Sequence, residues 1–120
     1  MSSPFSADGR VDIRQYIQNN WSYVGLRDDT GTIITRIDVV NDNRASWSSG
    51  PQSDPLEVTI EVDRVDSDID EFNPTGTVTI ADTVSLKSDT DTIPRSVDSV
   101  VDVVLEAEGD SVIITHQIYF

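Results

Sequence analysis

The chain has 120 residues, no cysteine and a formal net charge of -14, from 22 acidic and 8 basic side chains. That length suits one domain with one core, and the lack of Cys excludes disulfides and thiolate metal sites. No apolar run approaches the roughly 18 residues of a membrane helix, and the seven arginines (Arg10, Arg14, Arg27, Arg36, Arg44, Arg64, Arg95) are too scattered to form a basic patch for nucleic acid.

The acidity is of a particular kind: 17 of the acids are Asp, and Lys87 is the one lysine. Hydrophobic residues make up 37% and fall in periodic blocks, which argues for a fold rather than for acidic disorder. A folded domain so charged repels itself in dilute buffer. The Debye length falls from about 10 Å at 0.1 M salt to about 3 Å at 1 M, so molar salt removes most of that penalty. The pattern points to a protein of a salt-in halophile or of a virus infecting one; an acidic protein of ordinary salt is the alternative. The N-terminal MSSPFSADGR has neither the charged nor the apolar region of an export signal, so synthesis in a cytoplasm is expected.

Residues 1–7 read as a flexible arm. Asp8 suits a helix cap, and Ile13, Tyr16, Ile17 and Trp21 share one helical face, which predicts a helix to about Trp21. Gly25 and Asp28-Asp29-Thr30-Gly31 read as turns. TIITRIDVV, 32–40, is β-branched and predicts a strand. A long polar loop, 41–55, follows with Trp47 at its middle. PLEVTIEVD then alternates, with Leu56, Val58, Ile60 and Val62 on one face of a half-buried strand. In TGTVTIADTVSLKS the alternation breaks at Asp82, predicting one bent strand or two short ones. Val97, Val100, Val101, Val104 and Leu105 have helical spacing between Pro94 and Gly109, so a second helix is expected there. SVIITHQIYF alternates as a final strand. This order predicts an α+β domain over 8–120, with about four mostly antiparallel or mixed strands and two helices on one face.

Chemical signatures are few. The stretch DRVDSDIDEFNPTG places Asp66, Asp68 and Asp70 at positions 1, 3 and 5 of a calcium loop. Glu71 then stands where such a loop needs Gly, and Thr77 where it needs a bidentate Glu. The stretch therefore reads as solvated acidic surface. His116, the one histidine, reads as a satisfied, partly buried strand residue; no G-x-S-x-G motif accompanies it. The residues thus predict no catalytic site, no cofactor and no metal. Trp47 reads either as a lid on the core or as an anchor for a partner. Ile118, Tyr119 and Phe120 would leave apolar surface at the chain end unless something covers them.

VDIRQYIQNNWSYVG, the strand and long loop after it, PLEVTIEVDR, and PRSVDSVVDVVLEAEGD before a last strand together resemble tail-terminator or tail-completion proteins of tailed viruses, particularly those of halophilic archaea. TVTIADTVSLKS matches no motif of that family. The resemblance implies a structural virion protein without enzymatic activity. It would form a ring, usually a hexamer, that joins the tail tube to the neck and lets DNA pass. Homo-oligomeric contacts and contacts with tail-tube and neck proteins are then expected, with Trp47, Ile118, Tyr119 and Phe120 as candidate interface residues. A head-completion or stopper protein of the same neck, and a soluble halophilic ligand- or cation-binding module, are the alternatives.

Overall fold

A computed structural model describes residues 5–119, apart from the side chains of residues 100 and 101. Its elements are α1 (Ala7–Asn20), β1 (Tyr23–Arg27), β2 (Ile33–Asp38), β3 (Ala45–Trp47), β4 (Leu56–Asp63), α2 (Ser67–Phe72), β5 (Val78–Leu86), β6 (Ser96–Leu105) and β7 (Ser111–Ile118). The class is α+β, with every strand pair antiparallel. Two sheets are present, ordered β2-β1-β5-β6 and β3-β4-β7. Their inner faces share one core, from Val24 and Leu26 of β1 and Ile80 of β5 to Ile60 of β4 and Ile114 of β7.

β4 shows the sequence logic most directly. Leu56, Val58, Ile60 and Val62 are all buried, opposite Ile118, His116, Ile114 and Val112 of β7. Burying each such side chain contributes about 1.5–3 kcal/mol. Helix α1 starts where expected, but Ser6 rather than Asp8 caps it: Ser6 Oγ accepts from the Gly9 amide at 3.0 Å. Ile17 packs with Leu56 and Ile118, flanked by Ile13 and Trp21, while Tyr16 turns outward. α1 thus covers the starting end of β4. The short α2 follows the other end of β4 and inserts Ile69 into the main core.

Three expectations fail. Gly25 is not a turn residue; it lies mid-strand in β1, opposite Val84 and Arg36. A Cβ there would come within 2.9 Å of Val84 Cγ2 and 3.0 Å of Leu86 Cδ1, so glycine is what lets these side chains cross the strand. The 41–55 segment is not all loop, because Ala45–Trp47 pairs with β4. The helix expected over 94–109 is strand β6. Valine is stiff at χ1 and favours strands, and an irregularity explains the misleading spacing. Ile80 pairs with Val103 and Asp82 with Ser99, so three residues of β6 stand against Ala81 alone. Such a bulge breaks the period of two, and apolar positions on its two sides then fall at helix-like intervals. Gly109, expected as a helix cap, instead has φ 96° in the β6–β7 connection. That is the left-handed region where glycine carries no Cβ penalty.

The same bulge reverses β5. Val78 and Ile80 face the core before it. After it, Thr83 and Ser85 turn inward, in register with Leu26 and Val24, while Val84 and Leu86 lie on the Gly25 side and are fully buried. Two hydroxyls thereby enter the interior at one end of the molecule.

Candidate functional site

Two polar clusters join the sheets, one along each side where no strand ladder does. At the first, Asp68 of α2 accepts from Thr35 Oγ1 of β2 at 2.6 Å. Arg44, just before β3, grips the same carboxylate with Nη1 at 2.8 Å and Nη2 at 2.9 Å. Arg44 also holds Asp42 at 2.8 Å and Asp66 at 3.3 Å. The guanidinium therefore sits where the carboxylates would otherwise face a cation. Hydrogen bonds donated to Asp42, then to Asp68, raise the Arg44 pKa further. The Arg44 hydrogen bond holds Asp42 below the usual carboxylate range. Burial works to raise Asp68, but its bonds to Arg44 and Thr35 outweigh that and hold it low as well.

This corrects the reading of residues 63–71 as plain solvated surface. Asp66 and Asp68 are 23% and 31% exposed and are tied to an arginine more than twenty residues away in sequence. Asp70 fits the expectation better: it is 56% exposed and meets the buried Arg64 at 3.3 Å. Arg64 also donates to the carbonyls of Asn73 and Gly76, which pins the chain leaving α2. Among the described residues, no group of three or more His, Asp or Glu is placed to hold a metal ion.

The second cluster surrounds His116 of β7, which is fully buried. Its Nδ1 lies 2.7 Å from Thr83 Oγ1. Its Nε2 lies 2.8 Å from Ser96 Oγ and 3.0 Å from Ser85 Oγ, and the two serine hydroxyls are 2.6 Å apart. With the ring proton on Nδ1, His116 donates to Thr83, and Thr83 can donate onward to the Asp98 carbonyl at 3.4 Å. Nε2 then accepts from Ser96, and Ser85 donates to Ser96. Burial lowers the His116 pKa below its ordinary value, against the opposing pull of Asp98 and Asp82. The ring is thus a neutral imidazole satisfied on both nitrogens. The histidine was legible as a satisfied strand residue; its partners were not, because the β5 bulge places two of them and the β6 strand the third.

Ser96 also lines a cleft of about 260 Å³ at the α1 end, with Phe5, Ile13, Ile17, Trp21, Arg95, Ile118 and Tyr119. The candidate interface residues distribute unevenly around it. Ile118 is buried at 4% exposure under the chain's own α1, which takes it out of the surface available to a partner. Trp47 is half-buried and packs against both apolar clusters, as a lid would. Tyr119 is 66% exposed at the cleft, its hydroxyl donating to Gln117 at 2.7 Å. Phe120 lies outside the described residues. No helix among the described residues is long and apolar enough to cross a membrane.

No family model, no curated protein and no solved structure matches the chain.

Proposed function

We propose that the chain is a structural virion subunit that assembles into a ring, usually of six copies, at the head-proximal end of a viral tail, where it joins the tail tube to the neck. The sequence resemblance suggests the place. The observation that carries an assembly role is the pair of exposed aromatics on the rim of the apolar cleft. Phe5 and Tyr119 are 54% and 66% exposed beside it, on a chain of net charge -14. Exposed apolar surface of this kind marks contact sites. The acidic remainder keeps copies apart unless salt screens them, so assembly and molar salt belong together in this reading. An acidic lumen would also let DNA pass without adhering.

Electron microscopy and light scattering of the chain in molar salt test the reading. Closed rings of uniform size are expected, and Tyr119→Ser should reduce them while leaving the monomer's melting transition in place. A chain that remains monomeric at every concentration in molar salt would overturn it.

A further inference from the structure

We infer that Ser96 is a nucleophile, activated by His116, that takes an acyl group from carboxylic esters of apolar acids bound in the adjoining cleft. A nucleophilic serine needs a base within hydrogen-bond reach, a group that orients the base, and a space where the reacting carbon can sit. Ser96 Oγ is 2.8 Å from His116 Nε2. Thr83 Oγ1, 2.7 Å from Nδ1, can accept the Nδ1–H hydrogen bond, which keeps the proton on Nδ1 and leaves Nε2 free as the base. Such constellations are recognised by geometry and role rather than by sequence order.

The surroundings favour this serine over its neighbours. Ser85 touches the same nitrogen at 3.0 Å, but it is buried at 4% exposure. Ser96 is half-buried and lines the cleft, whose other walls include Ile13, Ile17, Trp21 and Ile118. Those walls suit an apolar acyl chain. In the step itself, Ser96 Oγ bonds the acyl carbon and its proton passes to Nε2. The ester C–O bond breaks, and the departing alkoxide takes that proton. Water then repeats the exchange, releasing the acid and restoring Ser96.

The test is labelling of the full chain, in molar salt, with an alkyl fluorophosphonate. Serine oxygen displaces fluoride in that reaction, and the adduct is located by peptide mass spectrometry. Hydrolysis of p-nitrophenyl butyrate is followed in parallel. The adduct is expected on Ser96. Ser96→Ala should abolish it and the ester turnover, while Ser99→Ala, an exposed position on the same strand, should leave both unchanged. Loss of the base in His116→Gln should slow labelling by about 10²-fold or more. Thr83→Val should slow it and Thr83→Ser restore it, which a purely structural Thr83 would not do at equal melting temperature. Because Ser96 is only half-buried, its alanine variant keeps the test valid if the His116 variant does not fold. No adduct, an adduct spread over other serines, or wild-type turnover in Ser96→Ala would overturn the assignment.

Discussion

Replacing Arg44 with Met keeps most of the side chain's stem and removes its charge. Asp42, Asp66 and Asp68 would then face one another without a counter-ion, and Thr35 would remain as the side-chain partner of Asp68. Hydrogen bonds to charged groups contribute about 1.5–3 kcal/mol each, and breaking a buried pair from one side costs about 3–5 kcal/mol. Arg44 is 25% exposed, so solvent takes up part of that cost. A net loss of about 2–4 kcal/mol is therefore expected in low salt. An entropy of unfolding near 2.1 cal/mol/K per residue makes 1 kcal/mol worth about 4 °C at this length, so Tm should fall by roughly 8–16 °C. The acid limb supplies a second readout. Asp42 and Asp68 have folded pKa values below 3.8, so their contribution is present above that value and is lost as pH falls through the folded values. The variant should show a flatter acid limb, because its carboxylates no longer gain from the arginine. Thermal melts by circular dichroism across a pH series would measure both. A Tm within about 2 °C of wild type in low salt would show that the cluster is solvated surface and does not hold the fold together.

Other outcomes follow from the same packing. Gly25→Ala should lower stability by about 1–3 kcal/mol, since a Cβ meets Val84 and Leu86 within 3.0 Å; an unchanged denaturation midpoint would mean the strands separate freely there. His116 has a folded pKa below 6.5, so the unfolded chain binds the extra proton first. Its contribution is complete above pH 6.5, and stability should fall by up to about 1.4 kcal/mol per pH unit below it until the folded value is reached. His116→Gln should remove that slope if it folds, and a wild-type chain with no slope between pH 6.5 and 5 would refute the neutral, buried ring. With a net charge of -14, melting temperature should rise steeply from 0.1 M to molar salt, and a flat series would remove the halophile reading.

What the sequence determined by itself was whatever depends on local period and composition. The alternation Leu56, Val58, Ile60, Val62 encodes β4, because one face of a strand repeats every second residue. The spacing of Ile13 and Ile17 encodes α1 in the same way, and the excess of Asp over Lys sets the surface. Tertiary structure decided the rest. A bulge between Ile80 and Asp82 lies in the pairing of two strands, so neither strand alone announces it. Without it, the valines of β6 read as a helix, and Thr83 and Ser85 face the wrong way. Arg44 shows the same limit for charge. The three Asp residues it holds look like free acidic surface along the chain, because the cation that neutralises two of them comes from the segment just before β3, brought within 3.3 Å of them when β3 pairs with β4.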